Sequence, residues 1–405
     1  MHEDATQGPA ARRTLLVAHP SPDLYGADRV MLETVSGFVA GGWRVVVTMP
    51  GDGPLTEQVV RRGGETVVCP TAVLRKSFLR GLGPFRLLGA VLRSLLPMLG
   101  LLRRVHPDVV WVNTITVPLW PLVGRLTGHR VVTHAHEAED GVAPVLRRAL
   151  ALPLSLAQVV IVNSDATGRS LAADGIGLTR RIRRIYNGVD GPQDASGEPA
   201  PTPRPGAPLR LLYVGRLSER KGPDLLVDAA AVLVGRGLDV QLELVGSVFP
   251  GYEPYERSLH DAAERAGVAG RVQFTGFLPS VWPAYRRSDI AFVPSRVEPL
   301  GNTAVEAMLA GVPLVTTRVG GLIEVTGNGR YSALVAPDDV EALVGAVETM
   351  LLDWPATQAR ALDARRSALE RFSVEGYRAE VLAVGEQQAH THRGEPRTVE
   401  TVTLR

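Results

Sequence analysis

Short apolar runs alternate with longer helical stretches along most of this 405-residue chain, and the alternation occurs in two series. Leu15–His19, Arg44–Thr48, Glu65–Cys69, Val109–Asn113, Arg130–His134, Val159–Asn163 and Ile182–Tyr186 form the first. Leu209–Val214, Gln241–Val245, Val272–Thr275, Ile290–Val293 and Leu314–Thr317 form the second. Runs of this kind, separated by helices, specify parallel strands covered on both faces. The expected class is α/β, with two Rossmann-like doubly wound parallel-sheet domains. Between the series lies a Pro/Gly/Ser-rich stretch that cannot pack as helix or strand interior. The expected organisation is a disordered leader at 1–13, a first domain at 14–190, a linker at 191–208 and a second domain at 209–372. A last helix at 373–387 and a disordered tail at 388–405 follow, and the helix after Asp338 fills out the second domain.

Composition narrows the classes. A chain this long exceeds one typical core. A net charge of +2 gives no global attraction to nucleic acid. Cys69 is the sole cysteine, which excludes an intrachain disulfide and a cysteine metal cage and fits a reducing, cytoplasmic setting. Residues 1–13 lack the apolar core of a signal peptide. The nearest approach to a membrane span, Leu87–Leu102, is interrupted by Arg93 and Pro97.

The run Ile290–Glu306 reads as a buried strand, a turn and a helix start. Asn302 and Thr303 are both suitable N-caps, so a helix N-terminus is expected at the sheet's carboxyl edge, where free N–H groups and the dipole favour a phosphate. Glu298 and Glu306 flank it. Their ordinary alternatives are a solvated loop charge and a first-turn acid. Arg216 stands just past a strand end, and Lys221 follows five residues later, before a helix opened by Pro223. Two cations there suit a diphosphate; the plain alternative is a pair of surface bases. Lys76 and Lys221 are the only lysines among 44 basic residues, so a lysine here suggests a site that needs a compact ammonium.

In the first series, Val131–Glu137 sets His134 and His136 at a strand's carboxyl end. Core or capping histidines are the bland alternative. With Glu137 they would begin a metal site, but no further ligand stands nearby in sequence, and no metal is expected. In Tyr25-Gly-Ala-Asp28, Gly26 permits close backbone approach, while Asp28 either caps a helix or holds an acceptor hydroxyl. No Gly-x-Gly-x-x-Gly follows any strand, which sets a nicotinamide enzyme aside.

Glu298 and Glu306 beside Pro-Leu-Gly-Asn-Thr, followed by Ala307–Val315, resemble the donor-site signature of the family 4 glycosyltransferases, although that family more often has an aromatic residue where Leu300 stands. Gly215-Arg-Leu…Lys-Gly222 resembles its diphosphate clamp. Asn187–Asp190 resembles its interdomain signature, Val272–Pro279 its nucleotide-base loop, and Gly320–Glu324 the turn after Val-Thr-Thr. The resemblance covers Leu15 to about Tyr377 and implies a GT-B fold, with donor bound mainly by the second domain, acceptor by the first, and the last helix crossing back. It implies a retaining hexosyltransferase using a nucleoside diphosphate sugar, without cofactor or metal, on a glycan or lipid-linked acceptor. Carried over residue by residue, the catalytic set is His136, Glu298, Arg216 and Lys221. The donor-binding set is Gly26, Gly215, Arg216, Lys221, Gly246, Phe277, Glu298, Leu300, Gly301, Asn302, Thr303 and Glu306. Asp28, His134 and His136 fall on the acceptor side. His19 occupies the loop where inverting relatives of the same fold carry a base, and Pro20 and Pro22 suit a plain turn.

Two other functions fit the same architecture: a nucleoside diphosphate sugar 2-epimerase, and a sugar-nucleotide binding module without transfer. Thr71–Pro107 carries seven Arg or Lys and no acid within a Leu-rich helical pattern. It reads either as a crossover helix with arginines facing water or as a patch resting on an anionic membrane surface. The second reading implies peripheral attachment at the inner face of the membrane and a role in cell-surface polysaccharide or glycolipid assembly.

Overall fold

The computed structural model describes residues 12–23, 26–74, 83–136, 144–174, 177–192, 203, 206–249 and 251–392. They form two compact units: one runs to Asn163 and adds Gly168–Gly188 and the segment from Val374, and the other comprises Ser164–Thr167 and Val189–Ser373.

The first unit's sheet contains β1 (Thr14–Ala18), β2 (Arg44–Met49), β3 (Glu65–Val68), β4 (Val109–Val112), β5 (Arg130–Ala135), β6 (Val159–Val162) and β7 (Ile182–Arg184). Their order is β3-β2-β1-β4-β5-β6-β7, with every pair parallel. The second unit's sheet contains β8 (Leu209–Val214), β9 (Val240–Val245), β10 (Val272–Gly276), β11 (Ile290–Val293), β12 (Leu314–Thr317) and β13 (Ala333–Val335). Their order is β10-β9-β8-β11-β12-β13, again parallel throughout. The sheet class expected from the alternation is the one observed. Central strands β1, β4 and β11 are buried at every position, as near-continuous Val/Leu/Ile runs require. In each sheet the strand order reverses once, between β1 and β4 and between β8 and β11. Ligands of open α/β sheets bind outside the carboxyl ends of the strands at such a reversal.

Several local expectations are corrected. β13 escaped the sequence reading because it is short and only half-buried. After Asp338 there are two helices, Val340–Leu352 and Trp354–Arg371; Asp353 separates them, and its carboxylate accepts from Ala356 N at 3.0 Å to cap the second. The last helix runs from Val374 to His392, so residues 388–392 belong to it rather than to a tail, with Gln388 and Ala389 buried. Residues 393–405 lie outside the described residues. Arg12, placed in the leader, donates from Nε to Gly42 O at 2.9 Å. The helix Gly83–Val105 passes through Arg93 and Pro97 unbroken, and its Phe85–Val105 stretch, with mean hydropathy 1.6, is long and apolar enough to cross a membrane by length and composition. One face, Met98, Leu101, Leu102 and Val105, nevertheless packs into the core with Leu16, Val110 and Val112.

The last helix packs on the helix Gly26–Ala40 within the first unit. Arg378 Nε donates to Glu33 Oε2 at 2.9 Å, and Tyr377 OH meets Thr34 Oγ1 at 2.5 Å. Close approach depends on small residues: a Cβ on Gly385 would stand 2.3 Å from Phe38 Cε1. Gly385→Ala should gain about 1 kcal/mol of helix propensity but lose more by overpacking, which costs about 1–3 kcal/mol. A lowered urea midpoint is therefore expected; an unchanged or raised one would show that Phe38 yields freely.

Candidate active site

In the second unit Tyr213 of β8 lies beside Phe292 of β11, and the segments leaving these two strands carry most donor-side candidates. Gly215 follows β8 directly. Gly246 follows β9 with φ 136°, and a Cβ there would lie 1.8 Å from Gly215 O, so the two strand exits cross where only glycine fits. The Arg216 guanidinium lies over the Phe249 ring, 3.4 Å from its centroid, while Tyr213 OH donates to Arg216 O at 2.6 Å. Burial holds the Tyr213 phenol well above its ordinary range, so it stays a donor.

Lys221 ends a short 3-10 turn, Glu219–Lys221, and its Nζ pairs with Glu298 Oε2. Ser295 Oγ donates to the same oxygen at 3.0 Å. Glu298 is only 6% exposed, so it is no solvated loop charge. Arg296 fastens the two segments that carry this pair. Its backbone N donates to Arg220 O at 2.8 Å, and its NH1 donates to Glu219 O at 2.5 Å. Its fork holds Asp224 with NH1 and NH2 at 3.0 and 2.6 Å, and Nε reaches Asp338 at 2.5 Å. Burial pushes the Asp224 carboxyl up, but hydrogen bonds from Arg296 and Tyr255 outweigh it and leave the group below its usual range.

The helix Asn302–Ala310 begins one residue earlier than an Asn302 cap, and two earlier than a Thr303 cap, would set it. Gly301, at φ 104°, is the N-cap; Asn302 is the first helical residue and Thr303 the second. Glu306 consequently lies beyond the first turn. Tyr285 OH donates to Thr303 O at 3.1 Å and lies 3.4 Å from Glu306 Oε2. Leu300 is buried and Phe277, just past β10, is 57% exposed. Gly321 N donates to Glu298 O at 2.9 Å, which ties the Gly320–Glu324 turn to the acid's own backbone.

In the first unit His19, Asn113 and His136 follow β1, β4 and β5, three adjacent strands. All three are buried, as is Asp28 in the first turn of the helix Gly26–Ala40. His19 Nε2 stands 2.8 Å from Asp28 Oδ1, Asn113 Nδ2 is 3.2 Å from His19 Nδ1, and His136 Nε2 is 3.2 Å from Asn113 Oδ1. Both nitrogens of His19 are engaged and the residue is 2% exposed, which does not suit a base that must reach an acceptor. His134 is fully buried, its ring 4.0 Å from that of His136 and 6.0 Å from Trp111. It is a core histidine beside the candidate. Gly26 opens its helix; Tyr25 and Glu137 lie outside the described residues. Among the described residues, no group of three or more His, Cys, Asp or Glu side chains is placed to hold a metal ion.

Sequence reasoning missed Asn113, Ser295, Arg296 and Asp224. Asn113 carried a signal, a polar residue directly after the apolar Val109–Val112, but its importance needs the strand order. Arg296 looked like one more surface arginine.

Burial lowers the His136 pKa from 6.5 to about 4 and drives that of His134 well below 6.5. Between those values the unfolded chain binds a proton on His136 that the folded chain does not. Stability is therefore full above 6.5 and falls as pH drops, by about 1.4 kcal/mol per pH unit from this residue. His136→Asn should flatten the urea-midpoint profile between pH 6.5 and 5; an unchanged slope would show that His136 does not carry it.

Comparison with known proteins is consistent with this geometry. A family model described as "Glycosyl transferases group 1" matches residues 197–367, and one described as "Glycosyltransferase Family 4" matches residues 25–191. The GDP-mannose-dependent alpha-(1-6)-phosphatidylinositol monomannoside mannosyltransferase of Mycolicibacterium smegmatis is 32% identical over 307 residues, 70% of this chain and 78% of that one. The 2-deoxystreptamine glucosyltransferase of Streptomyces kanamyceticus is 34% identical over 223 residues, 52% of this chain and 56% of that one. In fold, the chain is similar to Anabaena HepE in complex with UDP-glucose, with TM-score 0.76 and 23% identity over 92% of this chain and 99% of the other. With two parallel-sheet units and a relative matched over most of its length, the chain belongs to the family 4 glycosyltransferases of the GT-B class.

Proposed function

We propose that this glycosyltransferase moves a hexose-type sugar from a nucleoside diphosphate sugar to an acceptor hydroxyl, with retention at the anomeric carbon. The observation that carries the reading is the Lys221–Glu298 pair, its carboxylate buried and its ammonium part-exposed, at the strand reversal of the second unit, with Arg216 leaving the adjacent strand end. Arg216, Lys221 and the helix N-terminus at Asn302 are assigned to the diphosphate, whose negative charge grows as the glycosidic bond breaks. Lys221 and Ser295 hold Glu298 through Oε2, which orients Oε1 for a sugar hydroxyl. Glu306 is assigned to the ribose, Phe277 to the base, and His136 with Asp28 to the acceptor side. In the proposed step the bond from C1 to the diphosphate oxygen breaks, and the acceptor oxygen bonds C1 on the same face. The acceptor proton passes to the leaving phosphate, so no metal and no separate base are needed. The mycobacterial relative's name includes GDP-mannose and the Anabaena structure holds UDP-glucose, which supports a nucleoside diphosphate hexose as the donor class.

The acceptor is assigned to an anionic membrane surface on the cytoplasmic side, as a lipid-linked or membrane-borne glycan. The helix Gly83–Val105 exposes Phe85, Leu88, Leu92 and Leu96. Arg86, Arg93, Arg103 and Arg104 are exposed on the same helix, and no acid occurs between Glu65 and Asp108. Apolar side chains with cations and no anions match an anionic interface, and each cation near the lipid adds about 1 kcal/mol. Lys76, Arg75 and Arg80 lie outside the described residues.

Glu298→Gln should keep donor binding, read by calorimetry over UDP-, GDP- and ADP-sugars, and cut transfer about 100-fold, since a neutral amide weakens a charge-assisted bond to the sugar. Product analysis of the unaltered protein should show a new glycoside with the donor's anomeric configuration; an epimerised donor or unchanged donor would overturn the reading. Flotation with anionic vesicles should show binding at low salt that is lost at high salt and in Leu92→Ser/Leu96→Ser. Absence of binding at low salt would point to a soluble acceptor.

A further inference from the structure

The buried chain in the first unit has a direction. A carboxylate only accepts, so the 2.8 Å contact with Asp28 makes His19 Nε2 the donor. A neutral His19 then offers Nδ1 as an acceptor, and the group 3.2 Å away is the Asn113 amide nitrogen, a donor. That leaves Asn113 Oδ1 facing His136 Nε2 at 3.2 Å, and a carbonyl oxygen only accepts, so His136 donates from Nε2. Each link fixes the next. We infer that Asn113 and His19 are positioning residues which, with Asp28, form a one-way hydrogen-bond relay that pins His136 as its Nε2–H tautomer and makes Nδ1 its acceptor nitrogen.

The opposite order would need three changes together. Asn113 would turn its amide over, His19 would carry a second proton, and His136 would move its proton to Nδ1. His19 is 2% exposed, and a buried imidazolium is disfavoured unless its charge is matched. Asp28 could match it, so the two orders form a sharp experimental alternative. The ring of His134, with its centroid 4.0 Å from that of His136, is tilted 38° to it. The relay also accounts for three polar residues buried at adjacent strand ends and for Asp28 in the first turn of a helix, which would otherwise each carry a desolvation cost.

For the reaction, a neutral His136 protonated on Nε2 can accept a hydrogen bond from an acceptor hydroxyl at Nδ1 but cannot donate one there. This consequence rests on the proposed role of His136; the tautomer itself does not. The test begins with the full chain labelled with 15N-histidine and long-range proton–nitrogen correlation at pH 7. His19 and His136, assigned by single substitution, should both give the Nε2–H pattern. An Nδ1–H pattern for His136, or a doubly protonated His19, overturns the relay. Asn113→Asp replaces the middle link with a group that accepts on both sides, so His19 should become doubly protonated at pH 7. An unchanged His19 in folded Asn113→Asp also overturns it. Asn113→Leu, which removes both hydrogen bonds, should give mixed tautomers at His136 and lower kcat about 10–100-fold with donor KM unchanged. A single Nε2–H tautomer retained in Asn113→Leu would mean that something else fixes the ring. If the tautomers are as expected while His136→Ala transfers normally, the relay stands and the acceptor-side role of His136 falls.

Discussion

Every strand pair in both sheets is parallel, and from that constraint the position of the chemistry follows. Parallel strands all release their chains at the same edge, and at one place in each sheet two neighbouring strands send their crossovers in opposite directions. The gap left there is lined by whatever residues directly follow the strands. In the second unit these are Gly215–Arg216 after β8 and the segment to Glu298 after β11; in the first they are His19 after β1 and Asn113 after β4. Residues far apart in sequence thus meet without any long loop having to be ordered.

The Lys221–Glu298 pair is a poor way to gain stability. Desolvating the buried Glu298 carboxylate costs several kcal/mol, and well-packed apolar residues often do as well as or better than such a pair. Leaving one partner alone is worse, at about 3–5 kcal/mol. On the proposed reading such a liability is explained by preorganisation: the charges are fixed before substrate arrives, so little reorganisation remains at the moment of reaction. Arg296 fits this view. It joins the turn that carries Lys221 to the loop that carries Glu298 and anchors both to Asp224 at the start of the following helix. Its hydrogen bonds set the spacing of the pair from outside it.

The sheet strands were legible because buried parallel strands are written as apolar runs, and nearly all of them could be located to within a residue or two. β13 was not, because three half-buried residues leave no such run. The break at Asp353 carried a signal that the sequence reading passed over, a capping Asp353 followed by Pro355 in the first turn of the second helix. Asn302 and Thr303 looked like caps because their side chains suit that role, yet a left-handed Gly301 starts the helix without one. Individual candidate residues could be named where a motif spelled them, as with Arg216, Lys221 and Glu298, which the fold brings to neighbouring strand exits. Arg296 and Asn113 could not, since their hydrogen-bond partners come from segments brought together only by the fold.

The two units solve different electrostatic problems by different means. On the proposed reading the second unit must stabilise a diphosphate whose charge increases, and it answers with fixed cations, one stacked on Phe249 and one locked to a carboxylate. The first must handle a neutral hydroxyl, and a permanent charge beside it would favour neither state strongly. His134 and His136 are accordingly held neutral by burial, with His136 needing a pH near 4 to gain a proton. The single charge in the relay, Asp28, sits at the far end from His136, separated by His19 and Asn113. A carboxylate in direct contact with His136 would raise its proton affinity and make it cationic near neutrality. Placed three hydrogen bonds away, the same carboxylate orients the chain without charging the ring, so His136 combines a defined tautomer with neutrality.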